Sequence, residues 1–398
     1  MTRRDINITE YQSCFFDRDD IDSASEALLY TRYRKQIEVT PPSYITQHRW
    51  KLTAKGYVGH IPLTRDLHLH LQPKVSVANI FGMWEYAYKL NSFQLLEGVT
   101  QCDNFQQFYS QLATILARHS LDLFRRGLYR TYLNQRDRLT VVRGKLDLRD
   151  TLKRPWEPRV TCDYPYLTAD VPENQLVAWT LYLVVRSGLC DVSGNGSIVR
   201  KAYKTFSHHV TLQPFEAKDC MGRSYHRLNS DYQLLHSLCR FFLENTVPNT
   251  RSGDRLTFPF LVNMAQLYEK FVAEWLRLHV PKYNDNLRVE SQKKHHLDDN
   301  EKFVYKIDLV IYDRHTHEVR YVLDTKYKVP QKPSSDDLAQ IHSYARTQHC
   351  REAVLIYPEP LRYPYKNYID RETRVRTLIF TIDGDLEKAG KVFLTQLF

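Results

Sequence analysis

The spacing of apolar positions changes along the chain. Over residues 1–98 they come in short alternating runs, Gln36–Val39, Trp50–Leu52, Tyr57–Leu63 and Leu67–Leu71, broken by Pro41-Pro42 and Gly56. Alternation in runs of this length predicts strands, here a small sheet or barrel. From about Asn104 the interval lengthens. Phe105, Phe108, Leu112, Ile115, Leu116, His119 and Leu123 recur at helical spacing and stop near Gly127. A second helix is expected over Pro172–Gly188, opened by Pro and Glu and closed by Gly, and a third over Asp231–Asn245. Segments 138–170 and 198–230 mix strand-like runs with charge, so 99–250 reads as a mixed, mainly helical middle domain.

Past Pro248–Gly253 the pattern sharpens. Met264–His279 is an amphipathic helix, and Asn286–Lys293, Phe303–Tyr312 and Val319–Lys326 are strands, the last two joined by the polar turn Asp313–Glu318. Asp336–Gln348 is a helix, and Ala353–Tyr357 and Arg376–Ile382 are further strands. The expected class is therefore multidomain α/β (α+β): a β-rich domain 1–98, the middle domain 99–250, and a compact α/β core in 251–398. A length of 398 residues exceeds one ordinary core.

Composition narrows the choices. Hydrophobic residues make up 42% and charged residues 26%, which excludes a disordered chain. The longest apolar stretch, Leu176–Val185, is about half a bilayer span, so it predicts a buried helix and no membrane partner. Seven dispersed cysteines without a CxxC pair, and an acidic rather than apolar stretch after Met1–Arg4, predict a reduced cytoplasmic protein. The 56 Lys and Arg against 46 Asp and Glu leave a net charge of +10, which suits a polyanionic partner. Residues 121–160 hold eleven Lys/Arg against five acids. Arg136, Arg138, Arg143 and Lys145 within them are the DNA-binding candidates, and a solvated face is the alternative.

The chemistry concentrates in two strands. Asp308 stands alone in the apolar run Ile307–Tyr312, and sixteen positions later Tyr321–Lys326 repeats the arrangement with Asp324 and adds Lys326. Period two puts Asp324 and Lys326 on one face. A hairpin centred on Thr316 sets Asp308 opposite Asp324, with Cβ atoms about 4.5–5.5 Å apart. Opposed carboxylates repel, and a divalent cation resolves the conflict; Mg²⁺, with Mn²⁺ as substitute, favours a few carboxylates plus water. Metal-assisted phosphodiester hydrolysis follows, with Lys326 stabilising the developing charge. A salt-bridged surface hairpin is the competing reading, and the near-continuous apolar flanks argue against it. Glu269, at the edge of the apolar stripe of its helix, is either a third metal carboxylate or an ordinary solvated residue. Gln340 and Tyr344, i,i+4 neighbours, either support the site or simply pack on the sheet. His68 and His70 share a strand face but have no evident third ligand. His295-His296 reads as part of a basic loop and Ser193–Ser197 as a flexible turn. No P-loop motif occurs.

These residues resemble the PD-(D/E)xK nucleases: Asp308, then Asp324-x-Lys326, with Glu269 upstream and Gln340/Tyr344 downstream; Ile307 replaces the Pro of the name. The rest of the chain resembles the McrC family, nuclease subunits of 5-methylcytosine-dependent restriction systems. The likeness is carried in order by Gly56–Ile61, Leu71–Val77, Asn79–Met83, Arg126-Gly127-Leu128, Val142–Asp147, Asp170–Asn174 and Asn263-Met264. It implies a Mg²⁺-dependent DNA endonuclease subunit, catalytic at Asp308, Asp324, Lys326, Glu269, Gln340 and Tyr344. It further implies a partner AAA+ GTPase hexamer of the McrB type, engaged and stimulated by residues 1–98. Two rival readings remain: a RecB-like repair nuclease acting alone or with a helicase, and a non-catalytic DNA-binding activator of a GTPase.

Overall fold

The computed structural model describes residues 4–63, 67–74, 77–88, 105–188, 190, 194, 196–246, 259–296, 304–328 and 330–398. The chain divides into two compact units, one of Met1–Phe108 with Pro259–Phe398 and one of Tyr109–Phe258. The boundaries expected at 98 and 250 both lie outside the described residues.

The first unit opens with β1 (Arg4–Thr9), β2 (Ser13–Phe16), α1 (Ser23–Thr31), β3 (Ile37–Thr40), β4 (Trp50–Ala54), β5 (Tyr57–Pro62), β6 (Leu67–Gln72) and α2 (Val77–Ala87). β3, β4, β5 and β6 are the four runs that alternation marks. β2, β4 and β3 form one antiparallel sheet, while β1 pairs in parallel with β6, which pairs antiparallel with β5. Ile6, Ile8, Leu52, Ile61, Leu69 and Leu71 share one buried apolar cluster across these strands.

The second unit carries most of α3 (Phe105–Arg126), then β7 (Thr131–Leu139), β8 (Lys145–Leu146), α4 (Leu148–Thr151), β9 (Val160–Thr168), α5 (Pro172–Ser187), α6 (Gly196–Ser207) and α7 (Tyr232–Asn245). α5 runs between the expected Pro and Gly signals, and Gly188 closes it in the left-handed conformation at φ 68°. Its Leu176, Val177, Leu181 and Val184 are buried, as the apolar stretch requires. The family-like Asp170–Asn174 segment is structural. Buried Asn174 donates to the carbonyls of Tyr129 at 2.9 Å and Ala169 at 2.7 Å, and Asp170 accepts from Thr211 N–H at 2.7 Å. Of the turn expected at 193–197, Gly196 and Ser197 instead open α6, and 193 and 195 lie outside the described residues.

The chain then completes the first unit with β10 (Phe260–Asn263), α8 (Met264–Tyr283), β11 (Leu287–His296), β12 (Val304–Asp313), β13 (Val319–Thr325), α9 (Ser335–Thr347), β14 (Glu352–Tyr357), β15 (Lys366–Tyr368), β16 (Arg374–Ile379) and α10 (Leu386–Leu397). β10 pairs antiparallel with β5, bringing residues 260–263 into the N-terminal sheet. Gly59 makes that approach feasible: at φ +146° a Cβ would stand 2.0 Å from the Phe260 carbonyl oxygen. The other strands form a six-stranded sheet of order β11-β12-β13-β14-β16-β15, antiparallel from β11 to β13 and parallel from β13 through β14 to β16. The hairpin register is the one expected from a Thr316 centre, Leu309↔Leu323 and Val310↔Val322, with a shift between Ile311 and Tyr312 nearer the turn. Sequence capping signals hold the helices that flank this sheet. Asn263 Oδ1 accepts from Gln266 N–H at 3.2 Å at the start of α8, and Ser334 Oγ accepts from Asp337 N–H at 3.1 Å at the start of α9.

Candidate active site

The strand register, continued one step from Leu309↔Leu323, brings Asp308 beside Asp324. Asp308 is half-buried, and its Oδ2 accepts from the main-chain N–H of Thr325 at 2.9 Å and from its hydroxyl at 3.0 Å. Asp324 is 2% exposed, and its Oδ2 lies 2.6 Å from Lys326 Nζ. Burial, reinforced by the charge of Asp308, drives the Asp324 carboxyl well above the usual carboxylate range despite that lysine. Burial works against the Lys326 ammonium, but Asp324, Asp337 and Asp308 together hold it above its ordinary value.

α9 provides the far wall. Lys326 Nζ donates to Gln340 Oε1 at 2.8 Å, and Gln340 Nε2 donates to the Tyr344 hydroxyl at 2.8 Å. Gln340 and Tyr344 therefore form a relay that orients Lys326. Asp337, which no sequence signal marked beyond its place in the capping box, is 6% exposed. Its Oδ1 stands 3.8 Å from Lys326 Nζ, and its Oδ2 pairs with Lys328 Nζ at 2.6 Å. Burial raises the Asp337 carboxyl, yet Lys328 and Ser334 outweigh it and keep the acid below the usual range.

Glu269 reaches the site from α8. Burial and the nearby charge of Asp308 raise its pKa, and its Oε1 accepts from Gln292 Nε2 at 3.2 Å. Gln292 was missed by sequence reasoning. The pairs Ser291↔Leu309 and Lys293↔Ile307 bracket it opposite Asp308, in a left-handed conformation at φ 54° that costs a non-glycine residue about 1–3 kcal/mol. The only sequence signal for it is a polar residue at the end of an alternating run.

Among the described residues no three His, Cys, Asp or Glu side chains close on one point. The cage expected from Asp308, Asp324 and Glu269 is therefore not preformed: Asp308 is tied to Thr325 and Glu269 to Gln292. The donor set nevertheless suits a hard divalent cation. Three oxygen-bearing acids share one region, and Asp308 raises the pKa of both other acids by like-charge repulsion.

The other sequence candidates sort themselves. His60 on β5 joins His68 and His70; its Nε2 lies 2.7 Å from His68 Nδ1, and His70 Nε2 lies 3.0 Å from Asp5 Oδ1. The side chains of His295 and His296 lie outside the described residues. In the second unit Arg136 is bound to Asp147, with Asp150 and Asp163 each at 3.9 Å, and Arg138 pairs with Glu157 at 3.4 Å. Arg143 stacks over the Tyr164 ring at 4.3 Å, and Lys145 is exposed.

Comparison with known proteins gives the family and the fold. A curated relative, the type IV methyl-directed restriction enzyme EcoKMcrBC of Escherichia coli (strain K12), is 24% identical over 222 residues; the match covers 52% of this chain and 60% of the relative. The refined half-complex from the tetradecameric assembly of Thermococcus gammatolerans McrB AAA+ hexamers with bound McrC contains a chain of similar fold. Its TM-score is 0.59 at 17% identity, over 99% of this chain and all of that one. A chain of the Thermococcus gammatolerans McrBC complex gives a TM-score of 0.45 at 18% identity, over 69% of this chain and 87% of that one. Among the described residues no helix is long and apolar enough to cross a membrane. Residues 52–358 match the family described as McrBC 5-methylcytosine restriction system component, and the chain belongs to that family.

Proposed function

We propose that this chain is the DNA endonuclease subunit of a modification-dependent restriction complex, cutting with a PD-(D/E)xK core at Asp308, Asp324 and Lys326. The observation that carries it is Lys326 Nζ, 2.6 Å from a buried Asp324 that shares a strand pair with Asp308. Asp308 and Asp324, with Glu269 behind them, would hold Mg²⁺ or Mn²⁺. When bound, the ion supplies Lewis acidity toward the phosphodiester and acidifies its water. The chain's own residues do the rest. Tyr344 fixes Gln340, and Gln340 with Asp337 holds Lys326 as an ammonium aimed at the acids. There it stabilises the negative charge that builds on phosphate oxygens during cleavage. Methylated and unmethylated plasmids incubated with the chain and Mg²⁺, with and without a McrB-like partner, test the reading. Cutting confined to one substrate class supports it, and no cutting under any condition leaves the non-catalytic activator. The family membership leaves the repair-nuclease reading without support.

Engagement of an AAA+ GTPase hexamer belongs to the same proposal; besides residues 1–98, where Tyr44 and Ile45 stand 91% exposed, the second unit offers a surface for it. The strands of 1–98 bury their apolar faces in a shared core and take β10 as a further partner. In the second unit, β7 and β9 pair over nine residues each, a ribbon of about 30 Å. Tyr132, Val141, Val142, Leu152 and Trp156 on it and its tip are 58–76% exposed. Exposed apolar side chains on so narrow a projection mark an interaction surface, and the AAA+ partner is the occupant proposed here.

A further inference from the structure

Period two continues past the end of β13. Asp324, Lys326 and Lys328 turn to the site, where the two lysines share Asp337, and Tyr327 turns the other way. Tyr327 is 5% exposed, and its hydroxyl donates to Glu10 Oε2 at 3.1 Å. Glu10 immediately follows β1 and is locked to β6 by its N–H, which donates to the Gln72 carbonyl at 2.9 Å.

The grip on Tyr327 is threefold. Besides the bond to Glu10, the Tyr11 hydroxyl donates to the Tyr327 carbonyl at 3.3 Å. Lys74 Nζ sits 5.2 Å from the Tyr327 ring centre and 5.6 Å from that of Tyr11, and pairs with Glu359 at 3.5 Å. Gly56 leaves room for this cluster: it is left-handed at φ +59°, and a Cβ there would stand 2.6 Å from the Tyr11 hydroxyl. So residues of the N-terminal strands hold the hydroxyl, ring and carbonyl of the residue that follows Lys326.

The arrangement works against stability. Glu10 is 2% exposed, and its Oε1 accepts from no donor among the described residues. Burial pushes the carboxyl up to about 7, against the lowering effect of Tyr327 and Lys74. A buried acid half satisfied costs stability that an apolar side chain of similar size would not.

We infer that Glu10 is a positioning residue of the nuclease site: by holding the Tyr327 hydroxyl it fixes the backbone from which Lys326 reaches Asp324 and Gln340. The N-terminal strands are then part of the cutting machinery. The inference rests on the nuclease reading above.

The test uses the full chain with its partner and measures single-turnover cleavage, DNA affinity and melting temperature for wild type, Asp324→Asn, Tyr327→Phe, Glu10→Ala and Glu10→Gln. Tyr327→Phe and Glu10→Ala each lower the single-turnover rate by about tenfold or more and leave DNA affinity within about twofold. Glu10→Gln keeps an acceptor for the Tyr327 hydroxyl and recovers most of the rate. The double variant Glu10→Ala/Tyr327→Phe is no slower than the slower single one, because both remove the same hydrogen bond. Folded Tyr327→Phe and Glu10→Ala chains that cut within about twofold of wild type overturn the inference while the nuclease reading stands. So do rate losses that merely track a lowered melting temperature and weakened DNA affinity. A wild type as silent as Asp324→Asn overturns both.

Discussion

Lys326 Nζ lies 2.6 Å from Asp324 Oδ2, an ion pair whose acid is almost wholly buried and faces a second carboxylate, Asp308. Such a pair contributes little to stability, since its charges must leave water and removing either partner strands the other. It makes sense where a cation and a phosphate visit. Asp324→Asn is expected to lower cleavage at least about a hundredfold. It should lower the melting temperature in EDTA only slightly, because the partner lost by Lys326 is offset by relief of the like-charge repulsion with Asp308, and Asp337 still stands 3.8 Å from Nζ. Saturating Mg²⁺ should raise the melting temperature of wild type and not of Asp324→Asn. A metal-induced shift of equal size in both would show that Asp324 is not a ligand.

Glu269 distinguishes a third metal carboxylate from a neighbour that merely feels Asp308. Glu269→Gln keeps the Gln292 contact within reach and removes one negative charge from the cluster. The expected result is weaker Mg²⁺ binding, read by calorimetry, and a cleavage rate restored at high Mg²⁺. Unchanged metal affinity would return Glu269 to the role of an ordinary helix-surface acid.

The ribbon of β7 and β9 and its tip carry both the proposed partner surface and the basic candidates, and separate variants tell the two roles apart. Trp156→Glu, at a side chain 76% exposed, should abolish capture of the AAA+ partner and its GTPase stimulation without changing the melting temperature. Arg136 and Arg138 are already engaged by Asp147 and Glu157. Of the four basic candidates, Arg143 and Lys145 are therefore the ones expected to touch phosphate. Changing both to Gln should flatten the salt dependence of DNA binding by about 0.9 for each phosphate no longer neutralised, and changing Arg136 and Arg138 should not. Identical slopes in all variants would make the whole stretch a solvated face.

His236 gives the second unit a pH-dependent stability. It is 1% exposed, its Nε2–H donates to the Glu173 carbonyl at 3.1 Å, and its Nδ1 accepts from the Tyr225 hydroxyl at 3.0 Å. Burial lowers its pKa to about 4. Above the unfolded value of about 6.5 the ring is neutral in both states and costs nothing. As pH falls from there toward 4, the unfolded chain takes up a proton that the folded chain refuses, so stability is lost. The loss is about 2 kcal/mol between pH 7.5 and 5. Urea unfolding at the two pH values should show it, and His236→Gln should remove that part of the difference. An equal decline in both chains would assign the acid sensitivity elsewhere.

Local sequence signals determined much of this protein. Alternation marked β3 to β6, near-continuous apolar runs marked the strands that carry Asp308 and Asp324, and equal arms about Thr316 set the register that brings those acids together. Pro172 and Gly188 marked the ends of α5 because each satisfies or stops backbone hydrogen bonding within one turn. The lysine two residues after Asp324 needed only the pleat.

What only the tertiary structure decided depends on edges meeting across long stretches of chain. β1 lies parallel to β6, β10 closes on β5 across some two hundred residues, and β11 sets a strained Gln292 opposite Asp308. Glu10 meets Tyr327 at a separation of 317 residues. Counting charges in 121–160 likewise missed that strand pairing would set Asp163 near Arg136. Periodicity reports how one segment divides between inside and outside. It does not report which other segment covers it, because that choice is made by the summed burial and pairing of whole faces.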